Sequence, residues 1–298
     1  MSIHDKNLFG MSKYETAIER VKTFCAGKKV LCAFSGGKDS QTCYHLLKDA
    51  GIVFDAQYSI TRFEPPELMQ FIRANYPDVT YRRAYKMSLV AEIEYSGLPN
   101  MWARWCCDAK HVKTSGYDIA VIGIRWDESA RRRDNWRLFG YKQDKSAYLC
   151  PIVEWSDSDV WEYLEGRPHC CLYDQGFRRI GCVCCPLARN KMESDATRWP
   201  KTAAMLRKGA DRFVSRNREN GFVTKTGKRC HDWCKADNPE AEYFRRWITT
   251  GQTARGSVDA LNDGPECLFA GTGFSESDGM EIDEDLTESA LDLTPNQE

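Results

Sequence analysis

Apolar runs and amphipathic stretches alternate along the first half of the chain. The apolar runs are short, as in strands buried on both faces, whereas the stretches between them repeat apolar residues at helical spacing. The predicted strands are 29–34, 53–59, 79–83 and 118–123, and the predicted helices are 11–25, 39–50 and 65–76. This alternation predicts an α/β fold, a doubly wound parallel sheet with helices on both faces, and places ligands at the carboxyl ends of the strands.

The pattern changes beyond residue 150, where helical spacing dominates. Ser156 is a suitable N-cap for a helix whose buried face carries Val160 and Leu164. The final segment is acidic and poor in large apolar residues, as in disordered tails. We therefore predict an α/β domain with the cysteine clusters over 1–187, a smaller, basic helical C-terminal subdomain over 188–255, and a disordered tail over 256–298.

Charge is segregated along the chain, although the formal net charge is only -1. Residues 257–298 hold 12 acidic side chains and no Lys or Arg, which leaves 42 basic and 31 acidic side chains in the rest. A body this cationic suits an anionic ligand such as a nucleotide or a nucleic acid. The segment 178–229, with 14 basic and 4 acidic residues, is either a solvated helix face or a contact for DNA or tRNA.

Cysteine usage and the lack of targeting signals indicate a reducing compartment. No apolar stretch approaches the roughly 20 residues of a membrane span, and the N-terminus has no export or import pattern, so we expect a soluble, cytoplasmic protein without a membrane partner. There, unevenly clustered cysteines favour metal or redox chemistry over disulfides. Cys25, Cys32, Cys43 and Cys150 are predicted to be buried as small hydrophobic side chains.

A glycine-rich turn, Ser-Gly-Gly-Lys-Asp-Ser at 35–40, separates the first predicted strand from the next helix. Unpaired amides and the positive end of the helix macrodipole favour an anion there, and the two glycines let it approach the backbone. Asp39 follows Lys38 and the upstream glycine of the mononucleotide P-loop is missing, which argues against a kinase or GTPase. The turn resembles the pyrophosphate loop (PP-loop) of the adenosine nucleotide α-hydrolase superfamily, which implies an adenylyl nucleotide as ligand.

Four further motifs follow the turn. They are Thr-Arg-Phe-Glu-Pro-Pro-Glu at 61–67, Arg-Trp-Cys-Cys-Asp-Ala-Lys at 104–110, Gly-Ile-Arg-Trp-Asp-Glu-Ser at 123–129, and the run 172–186, which ends in Cys-Val-Cys-Cys-Pro. In this order they resemble the motifs of the phosphoadenosine phosphosulfate (PAPS) and adenosine phosphosulfate (APS) reductase family. Arg62 replaces the family's glycine and Leu68 its threonine.

The same resemblance implies a set of nucleotide contacts. Arg125, with the trailing arginines, would bind phosphate through a planar fork that stays charged at any physiological pH. The residues implied are Ser35, Gly36, Gly37, Lys38, Asp39, Ser40, Thr61, Glu67, Arg104, Gly123, Arg125, Glu128, Ser129, Arg132 and Arg133.

Two cysteine motifs form a second candidate site. The resemblance implies that Cys106, Cys107, Cys182 and Cys185 hold a four-iron four-sulfur (4Fe-4S) cluster, which takes four thiolates. Residue chemistry leaves structural zinc open, because zinc also accepts four thiolates. The thiols near enough in sequence to replace an assumed ligand are Cys170, Cys171 and Cys184.

The resemblance implies a sulfonucleotide reductase, in which a cysteine on a C-terminal segment attacks the sulfur of APS or PAPS. Cys267, in Pro-Glu-Cys-Leu, is the candidate nucleophile, and Lys38 is the candidate catalytic cation. A thioredoxin-like or glutaredoxin-like partner would then release sulfite. One alternative is an ATP pyrophosphatase of nucleic-acid sulfur modification, such as DNA phosphorothioation or tRNA thiolation, with Mg²⁺ on the ATP phosphates. Another is a non-catalytic nucleotide-binding protein.

Overall fold

The computed structural model describes residues 2–8, 10–110, 114–142, 145–219, 221 and 235–253. The strands within these residues are β1 Val30–Ala33, β2 Phe54–Ile60, β3 Thr80–Arg83, β4 Ile119–Ile122, β5 Phe139–Tyr141 and β6 Ala147–Leu149. The helices are α1 Lys13–Cys25, α2 Lys38–Asp49, α3 Pro66–Asn75, α4 Leu89–Ser96, α5 Trp105–Lys110, α6 Ala130–Asn135, α7 Asp157–Tyr163, α8 Met192–Arg198, α9 Pro200–Glu219 and α10 Pro239–Thr250. Short 3₁₀ segments occupy Trp126–Glu128 and Pro186–Lys191.

The strands form one sheet in the order β3-β2-β1-β4-β6-β5. Neighbouring strands run parallel except β5, which pairs antiparallel with β6. The chain first moves outward from β1 to β3 and then crosses back to β4, on the other side of β1. Because such crossovers are right-handed, the two directions of travel place their helices on opposite faces of the sheet. The predicted doubly wound α/β fold is therefore confirmed.

The elements predicted from periodicity are present, with ends that shift by two residues or fewer. The helix expected near Ser156 is α7, and the Ser156 hydroxyl caps it by accepting from the Asp159 amide at 3.2 Å. The hairpin of β5 and β6 was not predicted, because strands of three residues are too short to show a period of two.

A helical C-terminal part is present and lies against the sheet domain. Helix α9 approaches α4 so closely that a Cβ on Gly209 would lie 2.7 Å from the Ile93 Cβ. Phe213 of α9 stacks on Tyr243 of α10 with ring centroids 5.3 Å apart, and Trp247 is fully buried. These contacts fix α9 and α10 to one another and to α4. The boundary between residues 187 and 188 stays a prediction.

The tail predicted over 256–298 lies outside the described residues. Within the described ranges, no helix combines the length and the apolarity that a membrane crossing requires. The prediction for Cys25, Cys32, Cys43 and Cys150 is confirmed, since each is at most 1% exposed. Burial raises the pKa of the Cys25 thiol to about 11 and that of Cys150 to about 12, so both stay protonated at neutral pH.

The two outer strands of the sheet, β3 and β5, differ in how they end it. In β5, Phe139 stacks on Phe24 of α1 with ring centroids 4.8 Å apart. In β3, an Arg82 guanidinium N–H donates to the Ser59 hydroxyl at 3.0 Å and to the Ala109 carbonyl at 3.1 Å. Arg82 thereby ties α5, which carries two of the candidate cysteine ligands, to the edge of the sheet.

Candidate functional site

The glycine-rich turn lies between β1 and α2, at the switch point of the sheet. Gly36 has φ +71, a conformation that favours glycine, and a Cβ there would lie 2.5 Å from the Ile72 Cδ1. The turn is closed by serines: the Ser35 amide donates to the Ser40 hydroxyl at 3.1 Å, which donates to the Gly37 carbonyl at 2.8 Å. These local bonds fix the backbone before any ligand binds.

Backbone amides at the start of α2 are the candidate anion-binding groups. Among the described residues, none accepts a backbone hydrogen bond from the amides of Gly36, Gly37 or Asp39. The Lys38 amide donates to the Tyr173 hydroxyl at 3.0 Å. Unpaired amides at the positive end of a helix are the usual cradle for phosphate or sulfate. The geometry therefore suits the predicted role of residues 35–40, which stays a prediction.

A cavity of about 790 Å³ lies beside this turn, across the carboxyl ends of the central strands. Ser35, Ser40 and Gly123 are the predicted nucleotide contacts that line it. Sequence reasoning missed its aromatic wall, Tyr58, Trp136, Tyr141 and Tyr148, of which Tyr141 and Tyr148 come from the hairpin that periodicity did not reveal. The other lining residues are Ala33, Phe34, Ser59, Lys110, Thr114, Ala120, Ile122, Ile124, Asn135 and Lys142.

Gly123, directly after β4, lets this strand end against the start of α2. A Cβ at Gly123 would lie 2.6 Å from both the carbonyl carbon and the oxygen of Asp39. Since backbone cannot move aside as a side chain can, a larger residue would push β4 away from the turn. The predicted glycine is thus required by packing at the floor of the cavity.

Lys38 and Arg125 are both buried and share carboxylate partners. Arg125 Nε lies 2.6 Å from Asp39 Oδ1, and its terminal nitrogen lies 2.9 Å from Asp157 Oδ1. Lys38 Nζ lies 3.2 Å from the same Asp157 oxygen and donates to the Arg178 carbonyl at 3.1 Å. Burial disfavours the charged form of Arg125, but Asp39 and Asp157 outweigh it and raise the pKa of the guanidinium. In this structure, both cations bind protein groups rather than line the cavity.

The remaining residues of the 123–129 motif form a second ion pair. Glu128 accepts from the Arg132 guanidinium and, at 3.3 Å, from the Arg125 amide. Ser129 caps α6, because its hydroxyl accepts from the Arg132 amide at 3.2 Å. Burial lowers the pKa of Arg132. Arg133 is exposed on the same helix, and the predicted phosphate contacts of these residues stay predictions.

The loop after β2 is built around a buried carboxylate. Glu64 accepts from the Thr61 hydroxyl at 2.6 Å and from the Thr61 amide at 2.9 Å. Arg62, which stands where the family has glycine, has φ 63, the left-handed conformation that favours glycine. Glu67 lies outside the lining of the cavity and accepts from the Trp199 indole at 3.0 Å, which ties α3 to the junction between α8 and α9.

The candidate metal ligands come from two segments that face one another. Cys106 and Cys107 lie in α5, and a hydrogen bond between the two thiols raises the pKa of Cys106 and lowers that of Cys107. Cys182 and Cys185 lie in the loop before α8, and both interact electrostatically with Cys106. Within the described part of the chain, however, no three His, Cys, Asp or Glu side chains are arranged to hold a metal ion.

Cations surround these thiols. Lys110 Nζ lies 3.7 Å from the Cys182 sulfur. Burial opposes the charge of Lys110, but Cys182 and Glu64 outweigh it and raise the pKa of the ammonium. Arg104 is exposed at the start of α5, and its positive charge contributes to lowering the Cys107 pKa. Lys110 also lines the cavity, so it connects this cavity with the cysteines.

Of the three substitute ligands, Cys184 is buried with its sulfur 3.5 Å from the Met192 carbonyl oxygen. Cys170 is buried and Cys171 is exposed. Cys267 lies outside the described residues, as does part of the basic segment 178–229.

Several cations that α9 contributes to the basic segment already have partners in α9, α4 or α10. The pairs are Arg207 with Asp211 at 2.9 Å, Arg212 with Glu94 at 3.3 Å and Arg218 with Glu240 at 2.7 Å, while Arg216 donates to the Tyr95 carbonyl at 2.8 Å. These side chains form an ion-paired helix surface. A contact of this segment with nucleic acid stays a prediction.

Known proteins similar to this chain include both uncharacterized and enzymatic relatives. An uncharacterized protein of Methanocaldococcus jannaschii is 29% identical over 248 residues, 74% of this chain and 48% of the relative, so the chain spans about half of that protein's length. APS reductases of Oceanobacillus iheyensis and Staphylococcus saprophyticus are 27% and 26% identical, over 59% and 58% of this chain and 79% and 77% of the relatives.

Among solved structures, PAPS reductase from Candida auris in its phosphate complex matches 56% of this chain and 88% of its own, with a TM-score of 0.45 and 14% identity. Residues 29–188 match the family model described as the phosphoadenosine phosphosulfate reductase domain. Because that match covers more than half of the chain and contains the glycine-rich turn and both cysteine motifs, the family resemblance is confirmed, and the chain belongs to the phosphoadenosine phosphosulfate reductase domain family.

Proposed function

We propose that this protein is a sulfonucleotide reductase-type enzyme that binds APS or PAPS in the cavity beside α2. The observation that carries this proposal is the set of backbone amides without an acceptor among the described residues, at a turn whose two serines line that cavity. Family membership and the relatives named APS reductases support the reductase chemistry.

The two ends of the cavity suit the two ends of such a substrate. The aromatic wall, with Trp136 and Tyr148 in edge contact at 4.9 Å, offers faces and edges for the adenine ring. At the other end, Lys110 offers a positive charge for the sulfate, beside the loop at 182–185 that carries Cys182 and Cys185, called the cysteine loop below. The phosphate would bind between them, at the amides of residues 36–39. Lys38 would not contact the phosphate through its side chain. Its contacts with Asp157 and the Arg178 carbonyl would instead hold the turn in place.

The chemical step follows from the sulfur chemistry of the substrate. The Cys267 thiolate attacks the sulfate sulfur, an S–S bond forms, and the S–O bond to phosphate breaks with its electron pair leaving on AMP, or on adenosine 3′,5′-bisphosphate when PAPS is the substrate. A dithiol of the thioredoxin or glutaredoxin class attacks the Cys267 sulfur and expels sulfite. Its second thiol then releases the Cys267 thiol, and the dithiol is oxidised to a disulfide.

The four thiols of the cysteine site are the right donors for a 4Fe-4S cluster, but their positions in this structure are not those of bound ligands. Cys106, Cys107, Cys182 and Cys185 supply the four thiols and lie close enough to shift the pKa of Cys106. Because no three metal-binding side chains among the described residues are in binding geometry, the thiols would have to draw together around the metal. When bound, a cluster would supply positive electrostatics near the sulfate. The same four thiols would accept zinc.

Sulfite release from APS or PAPS, with a dithiol reductant, tests the proposal. We expect wild-type protein to release sulfite and Cys267→Ser to release none while retaining nucleotide binding. Ser275→Ala, in the same acidic tail, is the matched control and should retain full activity. Full sulfite release by Cys267→Ser would contradict the mechanism. Anaerobic purification with metal and sulfide analysis separates the cluster from zinc.

ATP is the discriminating competitor, because the same amides would accept its phosphates. Pyrophosphate release from ATP with Mg²⁺, stimulated by DNA or tRNA, together with no sulfite from APS or PAPS, would replace the reductase by a nucleic-acid sulfur-modification enzyme. Binding of nucleotide without any product would indicate a non-catalytic protein.

A further inference from the structure

The Tyr173 hydroxyl is already the acceptor for one of the backbone amides of the glycine-rich turn at 35–40, which we call the phosphate turn from here on. It accepts a hydrogen bond from the Lys38 amide at 3.0 Å, and a Cβ built on Gly37 would lie 3.6 Å from the same oxygen. The neighbouring amides of Gly37 and Asp39 have no acceptor among the described residues. A phosphate that uses this cradle would compete with the Tyr173 hydroxyl for the Lys38 amide.

Tyr173 is held in place by groups outside the turn. Its ring makes an edge contact with Trp161 of α7, with centroids 5.0 Å apart and an interplanar angle of 87°. Its amide donates to the Cys170 carbonyl at 3.0 Å, and its carbonyl accepts from the Gly176 amide at 3.0 Å. The hydroxyl is therefore presented to α2 by a compact turn that includes residues 170–176.

The turn at 170–176 leads directly to the cysteine loop. Lys38 Nζ donates to the Arg178 carbonyl at 3.1 Å, four residues before Cys182. Further along, the Val183 amide donates to the Phe63 carbonyl at 2.6 Å. The segment 173–183 thus contacts the phosphate turn at its start and the loop after β2 at its end, and it carries one candidate metal ligand between these contacts.

A phosphate oxygen is a stronger acceptor for the Lys38 amide than the Tyr173 hydroxyl is. Burial raises the pKa of Tyr173, so the hydroxyl is neutral at physiological pH. Hydrogen bonds to ionised acceptors are roughly twice as strong as those between neutral groups. A bound phosphate would therefore replace the Tyr173 hydroxyl as the acceptor of the Lys38 amide hydrogen bond.

We propose that Tyr173 is a positioning residue whose hydroxyl stands in for a phosphate oxygen in the nucleotide-free protein, and that phosphate binding displaces it and releases the segment leading to Cys182. This inference rests on the proposed nucleotide site and adds a conformational link between that site and the cysteine loop. Its consequence is that the cysteine loop responds to the phosphate of the ligand and not to the nucleoside alone.

Calorimetry on the full chain with AMP and with adenosine tests the competition. Tyr173→Phe keeps the ring and removes the hydroxyl, so we expect AMP to bind about two- to tenfold more tightly, since an intramolecular hydrogen bond no longer has to be broken. Adenosine affinity should not change, because adenosine has no phosphate. Tyr117→Phe, which removes a hydroxyl bonded to Asp55 at 2.9 Å, is the matched control and should leave both affinities unchanged.

Hydrogen exchange provides the second readout. AMP, but not adenosine, should increase amide exchange over residues 172–178 in the wild type, and AMP should have no such effect in Tyr173→Phe. Weaker AMP binding by Tyr173→Phe, or protection of 172–178 by AMP, would overturn the inference and make the hydroxyl a direct ligand of the nucleotide. Equal AMP affinities would also overturn it while leaving the proposed function standing. Absence of AMP binding by both proteins would overturn the proposed function and this inference with it.

Discussion

The phosphate turn and the cysteine site differ in how completely the polypeptide builds them. The turn is formed by backbone within one short stretch, and its geometry is closed by the hydrogen bonds of Ser35 and Ser40. The cysteine site needs side chains from α5 and from the loop at 182–185, and these do not reach metal-binding geometry among the described residues. A site made of local backbone forms without its ligand, whereas a site made of distant thiols depends on its ligand for its final shape.

The largest expected effect separates the two sites. Cys182→Ser removes one candidate ligand, so we expect bound metal to be lost while AMP still binds, because the phosphate turn forms on its own. Metal content after anaerobic purification and calorimetry with AMP measure the two quantities. Cys171→Ser, an exposed thiol, should retain the metal. Retention of a full complement of metal by Cys182→Ser would remove this residue from the ligand set.

The next effect concerns the buried ion pairs behind the turn. Arg125→Ala leaves Asp39 without its partner at 2.6 Å, and we expect the free energy of unfolding to fall by about 3 kcal/mol. Arg212→Ala breaks a pair with Glu94 at 3.3 Å in which the arginine is half exposed, and should cost less than about 1 kcal/mol. Urea unfolding measures both. Equal losses would show that burial of Arg125 does not decide its contribution.

A smaller effect concerns the contact between β4 and α2. Gly123→Ala places a Cβ 2.6 Å from the Asp39 backbone, and we expect unfolding to become easier by about 1–3 kcal/mol, with weaker AMP binding. Gly181→Ala, beside the cysteine loop, meets nothing within 4 Å and should change stability by less than about 0.5 kcal/mol. Unchanged stability of Gly123→Ala would mean that the turn adapts more readily than its local bonds suggest.

The smallest effect is a gain in stability. Arg62 has φ 63 although it is not glycine, whereas Gly36 has φ +71 without strain. We expect Arg62→Gly to raise the free energy of unfolding by about 0.5–1 kcal/mol, the strain relieved less the entropy that glycine adds to the unfolded chain. Arg62→Ala keeps the Cβ and should give no such gain. A loss of stability in Arg62→Gly would show that the side chain contributes more than its backbone strain costs.

The difference between a site of consecutive residues and a site of distant residues also decides which parts could be predicted from the sequence. The turn at 35–40 is visible in sequence because its residues are consecutive, the strand before it is a continuous apolar run, and the helix after it is long enough to show its period. Asp157 and Tyr173 could not be found this way, since Tyr173 reaches the Lys38 amide from 135 positions away. Half of the aromatic wall was missed for a related reason, because Tyr141 and Tyr148 lie in three-residue strands.

The same physics accounts for the partners of Arg125. The motif by itself assigns the Arg125 guanidinium to the ligand's phosphate, but the fold brings Asp39 of α2 and Asp157 of α7 to it. Sequence spacing shows which charged groups are available and not which of them neutralise one another.

The borders of the sheet have a consequence for self-association. At one border, β5 offers only three residues, and at the other, Arg82 and Arg83 place positive charges along β3. A second copy of the chain that tried to extend the sheet would gain few ladder hydrogen bonds at the first border and would meet like charge at the second. These margins therefore protect the fold against edge-to-edge aggregation.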